Sequence, residues 1–153
     1  MNVVSASSVM LLLGCCAMST GASDHHLNAI PTPAVYHGCG CTFSSIQETP
    51  GVSAGVLFSS NYEGTAHVNP DGRLTTLTAR RADRRCSPSR IGGRCTLRYD
   101  AENVRVTIKA TATWVCPEND DDESCEVVRL RGILSARMGG AVESHEVEGE
   151  CGC

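Results

Sequence analysis

Ten cysteines constrain the fold of this 153-residue chain more than any other feature of its sequence. Two adjacent cysteines lie near the N-terminus, and the other eight form two Cys-Gly-Cys triplets that flank two Cys-x8-Cys loops. An even set of cysteines with this arrangement is typical of disulfides formed outside the reducing cytosol. We therefore predict disulfides at Cys39, Cys41, Cys86, Cys95, Cys116, Cys125, Cys151 and Cys153.

The N-terminal segment favours export. Residues 9–17, with the sequence VMLLLGCCA, form an apolar run of signal-peptide length. The run is too short to cross a bilayer, because a spanning helix takes about 20 apolar residues. We predict that residues 1–14 are a signal peptide and that the chain functions outside the cytosol.

The residues LLGC at positions 12–15 resemble the lipobox of bacterial lipoproteins, in which a peptidase cuts before an acylated cysteine. The resemblance implies that Cys15 carries a lipid, and that this lipid attaches the protein to the bacterial cell envelope, at the outer membrane. The alternative is plain secretion, with a signal peptide cut later, after Ser19 or Ala22.

Two regions follow the predicted cleavage site. Residues 15–34 are mostly small and polar, with two prolines and no apolar period, which predicts a flexible tether. Asp24, His25 and His26 in this segment could suggest a metal site, but a metal site needs three or four ligands on a rigid frame, which favours solvated residues. Residues 35–153 have the length of one domain.

Alternating apolar and polar residues predict β-strands at 104–116 and 128–138, and the two strands should form a hairpin. Residues 116–125, CPENDDDESC, would then be its exposed tip, held at the base by a disulfide. No segment has the pattern of an amphipathic helix. Further strands are predicted at 40–46, 54–59, 65–69, 73–79 and 95–99.

Short strands separated by turn residues predict an all-β domain. The fold class we expect is a small antiparallel β-sandwich stapled by disulfides. A general immunoglobulin-like architecture is compatible with it, although Trp114 does not lie between a suitable pair of cysteines.

The Cys-Gly-Cys triplets allow two interpretations. On extended strands the cysteines of each triplet face the same way, so two strands could bring four sulfurs together with His37 or His145. As thiolates they would bind Zn²⁺ or Cu⁺, which makes an extracytoplasmic metal-binding protein the alternative function. An oxidising compartment and the absence of Cys-x2-Cys spacing favour disulfides and no cofactor.

Three further motifs suggest other chemistry. Residues 51–55, GVSAG, match a nucleophile-elbow pattern around Ser53, but a proline precedes them and a strand follows, which is the wrong context. Arg90 and Ile91, inside a cysteine ring, resemble the reactive loops of some protease inhibitors. The acidic residues 118–123 could attract Ca²⁺, but they lack the ligand spacing of an EF-hand loop, so a solvated hairpin tip is favoured.

Charge is unevenly distributed, although the net charge is only −4. Residues 73–105 contain nine arginines and three acidic residues, whereas residues 116–153 contain three arginines and ten acidic residues. The arginine-rich segment suits an anionic glycan, and the lack of nearby aromatic residues argues against nucleic acid. We predict a non-enzymatic structural or binding module that contacts the membrane through its lipid and binds an envelope protein or an anionic glycan.

Overall fold

The computed structural model describes residues 25–46, 55–80, 86–117 and 126–153. These residues form nine strands and one 3-10 turn (Thr32–Ala34), without an α-helix. No helix within these ranges has the length and apolar character needed to cross a membrane. The strands are β1 (Leu27–Asn28), β2 (Gly40–Ser45), β3 (Val56–Asn61), β4 (Thr65–Pro70), β5 (Thr75–Ala79), β6 (Arg94–Asp100), β7 (Val104–Trp114), β8 (Val128–Met138) and β9 (Ala141–Gly152).

Eight of the strands form a closed antiparallel barrel. The strand order is β4-β3-β2-β9-β8-β7-β6-β5, and β5 pairs back with β4. The predicted all-β class with disulfides is confirmed, but the predicted sandwich is corrected to a barrel. The reason is β9, which the sequence pattern did not predict, because it pairs with both β2 and β8 and makes the sheet continuous.

The β7–β8 hairpin confirms the strongest sequence prediction. The two strands pair along ten registered positions, from Val104 opposite Met138 to Trp114 opposite Arg129. The apolar residues of the alternating pattern point into the barrel, where Val106, Ile108 and their neighbours are buried. The polar residues between them lie on the outer wall, as the period of two requires.

Side chains fill the interior of the barrel. Phe43, Phe58 and Tyr99 are fully buried, with ring centroids 6.2 Å apart for the first pair and 5.1 Å apart for the second. Leucine, isoleucine, valine and alanine side chains from β4 to β9 complete this core. An eight-stranded barrel is just wide enough for such filling, so the interior is a packed core without a channel.

Two adjacent disulfides join the first and last strands of the barrel. Cys41 and Cys151 are registered partners on β2 and β9, and their bond is buried in the core. Cys39 and Cys153 continue the same register by two residues, and their bond lies at the exposed end of the barrel. The two triplets therefore bond to each other, one of the pairings that the sequence left open.

The remaining cysteines fall on two loops. Cys86 is bonded to Cys95, which closes the loop before β6 as a ring. Cys116 is also disulfide-bonded. Its predicted partner, Cys125, lies outside the described residues, as do Cys15, Ser53 and the acidic residues 118–123.

The N-terminal residues 25–36 cover one side of the barrel. Leu27 and Ile30 are buried, and β1 pairs with β4. Phe58 of β3 points into the barrel, and its neighbour Leu57 points outward. Leu57 is nevertheless fully buried, because the N-terminal segment lies over this side of β3. The folded unit thus includes residues 25–34, which we expected to belong to the flexible tether.

A histidine and a tyrosine attach this segment to β4. The Nδ1 atom of His67 donates a hydrogen bond to the carbonyl of Ala34 at 2.8 Å, so its Nε2 atom can accept one from the hydroxyl of Tyr36 at 3.2 Å. The two rings are stacked with centroids 4.5 Å apart. Burial and the nearby charge of Glu63 raise the pKa of Tyr36 above its ordinary value.

Two carboxylates fix the start of β1. Asp71 accepts hydrogen bonds from the backbone N–H of His26 at 2.9 Å and from the side chain of His25 at 2.7 Å. Glu143 accepts one from the backbone N–H of Leu27 at 2.7 Å. His25, through its side chain, and His26, through its backbone N–H, therefore hold the start of β1 against the barrel.

We call Cys39–Cys153 and Cys41–Cys151 the seam disulfides, because they join β2 to β9 where the barrel closes. Removal of one of them should reduce the free energy of unfolding much less than removal of both. Each bond closes a loop of more than 100 residues, with sequence separations of 114 and 110. While Cys41–Cys151 remains, Cys39–Cys153 closes only a small additional ring. The double substitution Cys39→Ser and Cys153→Ser should therefore reduce the free energy of unfolding by about 2 kcal/mol or less. Removal of all four cysteines should cost about 6 kcal/mol, as measured by urea denaturation. An equal loss in both cases would contradict the account of the seam.

The attachment of β1 predicts a pH-dependent contribution from Asp71. The hydrogen bond from the backbone of His26, followed by that from the side chain of His25, holds the pKa of Asp71 below its usual value of 3.8. The stabilisation is therefore present at neutral pH and is lost as the pH falls through that lowered pKa. Asp71→Asn should reduce stability at pH 7 by less than about 1 kcal/mol.

This substitution removes the charge and one of the two acceptor oxygens but keeps the backbone conformation, because Asn also tolerates the positive φ of 51° that Asp71 adopts before Gly72 in the β4–β5 turn. Denaturation curves from pH 7 to about pH 2.5 should converge for wild type and variant. The control is Glu102→Gln, an exposed residue without an ion pair to any described residue. A difference in stability that is independent of pH would reject the role of Asp71.

Candidate functional site

The sulfurs that could have formed a metal site are engaged elsewhere. Cys39, Cys41, Cys151 and Cys153 form the two seam disulfides, so they do not provide thiolates. His37 is exposed and lines a depression of about 210 Å³ beside these bonds. In the described part of the chain, no group of three or more His, Cys, Asp or Glu side chains is placed to hold a metal ion.

The ring between Cys86 and Cys95 presents Arg90 and Ile91 at its exposed tip. Gly92 has a φ of 81°, and the N–H of Gly93 donates a hydrogen bond to the carbonyl of Arg90 at 3.0 Å, so the four residues form a tight turn. Gly92 and Gly93 also bond to Ala112 of β7. The carbonyl of Arg90, which an inhibitor would present to a protease, is thus already hydrogen-bonded within the loop.

The outer wall of β6, β7 and β8 carries a concentration of positive charge. The register places residues of the three strands in rows, so that Arg94, Thr111 and Arg131 lie side by side. The outward positions contain seven cations and one carboxylate, Asp100. We call this surface the basic face, and its cations are Arg94, Arg98, Arg105, Lys109, Arg129, Arg131 and Arg137.

Three members of the basic face come from the part of the sequence that is acidic overall. Arg129, Arg131 and Arg137 belong to β8, within the residues 116–153 that carry ten acidic side chains. A charge count along the chain assigns them to an acidic surface. The antiparallel pairing of β8 with β7 instead places them beside Arg105 and Lys109, and the predicted hairpin could have revealed this.

Hydroxyl side chains fill the positions between the cations. Neighbouring strands lie about 4.8 Å apart, and residues two apart on one strand are separated by about 6.8 Å, so the cations and hydroxyls form a fixed two-dimensional array. Both kinds of group donate hydrogen bonds to oxygen atoms. The hydroxyls on the basic face are those of Thr96, Thr107, Thr111, Thr113 and Ser135.

Only part of the positive charge on the basic face is neutralised by the protein. Asp100 accepts hydrogen bonds from Arg105 at 2.7 Å and from Arg80 at 2.6 Å. Partial burial of Asp100 raises its pKa, but the hydrogen bonds and charges of these two arginines outweigh burial and hold the pKa of Asp100 below its ordinary value. Arg131 lies 3.6 Å from Glu146, and Arg94 and Lys109 form no ion pair with any described residue.

A groove runs along the border between the basic face and β9. Its volume is about 580 Å³, and it lies between Arg129 and Arg131 on one side and Glu148 and Glu150 on the other. The guanidinium of Arg129 lies 5.6 Å from the ring centre of Trp114. Because arginines and glutamates face each other here, the groove is close to neutral, unlike the basic face beside it.

The arrangement as a whole suits recognition of an extended anionic ligand. Arginine guanidinium groups bind carboxylate, sulfate and phosphate oxygens in a bidentate manner. The cations lie on strands of a closed, disulfide-bonded barrel, so their spacing is set before a ligand arrives. A comparison of the chain with protein-family models, with curated proteins and with solved structures finds no match.

Proposed function

We propose that this protein is a non-enzymatic binding module, tethered to the outer side of a bacterial envelope, whose basic face binds an anionic polysaccharide. The observation that carries the proposal is the excess of seven cations over one carboxylate on the outward positions of β6, β7 and β8. The chain as a whole has a net charge of −4, so this concentration is local.

A polysaccharide fits the basic face better than nucleic acid does. Single-stranded nucleic acids are bound by aromatic rings on which bases stack. The nearest exposed aromatic ring is that of Trp114, and Arg129 already lies over it. Sugars carry both charged groups and hydroxyls, and the alternation of cations with threonine and serine provides donors for each.

A polysaccharide also fits better than a bilayer surface. Peripheral attachment to lipid needs a cluster of apolar side chains that enters the interface. Ile133 and Trp114, with exposed fractions of 44% and 37%, are the two large apolar residues at the outward positions of the three strands of the basic face, and they do not form a cluster of that kind. The face therefore supports electrostatic binding to a polymer at its surface.

Disulfides and the lipobox-like residues support the location. Three disulfides join described cysteines, and such bonds persist in oxidising compartments outside the cytosol. Acylation of Cys15 would place the folded residues within reach of polymers in the envelope. Cys15 lies outside the described residues, and its role rests on the resemblance to the lipobox.

The proposed function predicts that Lys109 is needed for binding of polyanions. Lys109→Glu reverses a central charge and should weaken binding of polygalacturonate and dextran sulfate about tenfold, which corresponds to about 1.4 kcal/mol. Binding of both polymers should also weaken as salt is added, because exposed charges are screened. Titration calorimetry in low salt measures these affinities, with neutral dextran as the ligand control.

The matched control is Arg73→Glu, which makes the same change of net charge at an exposed position in the β4–β5 turn, outside the three strands of the basic face. This variant should bind within about twofold of wild type, since its charge is outside the ligand contact. Equal losses in the two variants would mean that only net charge matters. An oligonucleotide that binds as tightly as the polysaccharides, with the same dependence on Lys109, would overturn the choice of ligand.

The proposed anchor predicts a modified mature N-terminus. Intact-mass measurement on protein from bacterial membranes should show Cys15 as the first residue, carrying acyl chains. Cys15→Ser should abolish the acylation and release the protein from the membrane fraction, whereas Cys16→Ser should keep both. Recovery of an unmodified chain that begins after Ser19 or Ala22 would show plain secretion instead.

A further inference from the structure

One depression on the basic face has features of a site for a single oxyanion. It has a volume of about 190 Å³ and is lined by Arg105, Thr107, Ser135, Arg137 and Val142. Four of these five residues belong to the basic face, and the fifth comes from the neighbouring strand β9. The depression is therefore a distinct part of the proposed ligand surface.

The pairing of β7 with β8 places like groups opposite each other in this depression. Arg105 is the registered partner of Arg137, and Thr107 is the registered partner of Ser135. Residues directly opposite on antiparallel strands have Cβ atoms about 5 Å apart, and like charges in that position destabilise a sheet. Two guanidinium groups and two hydroxyls thus converge on one small space.

The protein itself neutralises only one of the two arginines. The Nε atom of Arg105 donates a hydrogen bond to Asp100, which orients this guanidinium and leaves its terminal N–H groups for another acceptor. Arg137 forms no ion pair with any described residue. Its charge is therefore left facing that of Arg105 across the strand pair.

The two hydroxyls add neutral donors. The hydroxyl of Ser135 lies 3.0 Å from that of Ser144 on β9, and either group can be the donor. When Ser144 donates, the hydrogen of Ser135 is free for a ligand, and Thr107 offers a second hydroxyl. A sulfate or phosphate group on a sugar has three terminal oxygen atoms and a carboxylate has two, so two cations with two neutral donors match the tetrahedral group better.

We infer that Arg105, Arg137, Thr107 and Ser135 form a subsite for one sulfate or phosphate group. The inference rests on the proposed function, since it identifies the charged substituent of the polysaccharide that the basic face would bind. An anion between the two guanidinium groups would relieve their repulsion, so binding should stabilise the folded protein.

Thermal unfolding in sodium sulfate, with sodium chloride used to keep the ionic strength constant, tests the subsite directly. At sulfate concentrations about ten times the dissociation constant, the Tm of wild type should be higher by about 3 to 6 °C, and it should keep rising with the logarithm of the sulfate concentration. Sodium phosphate should act in the same way, and sodium acetate should give a smaller shift. An equal or larger shift in acetate would contradict a site for a sulfate or phosphate group.

Arg137→Gln separates specific binding from general effects of salt. The variant should have the same Tm as wild type or a higher one without sulfate, because the repulsion is removed, and it should lose the part of the sulfate-dependent rise that wild type gains from the subsite. Thr107→Val keeps both arginines and should reduce the shift. The control is Arg131→Gln on the same strand, outside the depression, which should keep the full shift.

The source of the group is distinguished with polymers. Arg137→Gln should weaken binding of dextran sulfate at least fivefold more than binding of polygalacturonate, whose charges are carboxylates. If wild type and Arg137→Gln respond identically to inorganic sulfate, the subsite is wrong even where polysaccharide binding still depends on Lys109. If sulfate binds at Arg137 but neither polymer binds, the proposed function fails and the subsite stands as a site for a free anion.

Discussion

The pairing of β2 with β9 is the contact on which the rest of the structure depends. These are the first and last strands of the barrel, and more than 100 residues separate the cysteines that join them. Formation of such a contact has a large entropic cost in the unfolded chain, and two disulfides remove that cost once they have formed. The pairing also leaves the eight barrel strands without an open edge, which protects against association through unpaired strands.

Closure of the barrel also determines the charge pattern of its surface. Because β9 lies between β2 and β8, its outward glutamates form a narrow acidic strip, and the basic face begins on the next strand. The same arrangement places Arg137 opposite Arg105, a contact that weakens the sheet unless an anion lies between them. Under the proposed function, this repulsion lowers the stability of the free protein, and a bound anion relieves it.

The sequence predicted strands at the positions of β2 to β8 and missed β1 and β9. The inward positions of β7 and β8 are apolar, so their period of two was clear. The inward positions of β9 include Glu143, His145 and Gly149, which hide the pattern even though the strand has twelve residues. Without β9, the strands could not be joined into a closed barrel, and a sandwich was the natural expectation because both folds have alternating faces.

Other features could not be predicted because they depend on contacts between distant parts of the chain. Residues 25–34 have the composition of a tether, and they are folded through a few specific contacts with Asp71, Glu143 and β4. Likewise, the arginines of β8 join the basic face only through strand register. The sequence left the pairing of the two cysteine triplets open, and the structure shows that they bond to each other and join the ends of the domain.

The central claim is that closure of the barrel assembles the cations of three strands into one ligand-binding face. The most direct measurement is an NMR titration of the ¹⁵N-labelled domain with dextran sulfate, in which backbone amides and arginine Nε signals are followed. We expect the shifted signals to belong to β6, β7 and β8, with the largest changes at Arg105, Lys109 and Arg137. Shifts confined to β9, to the N-terminal residues 25–36 or to the loop around Arg90, or no saturable shift at all, would contradict it.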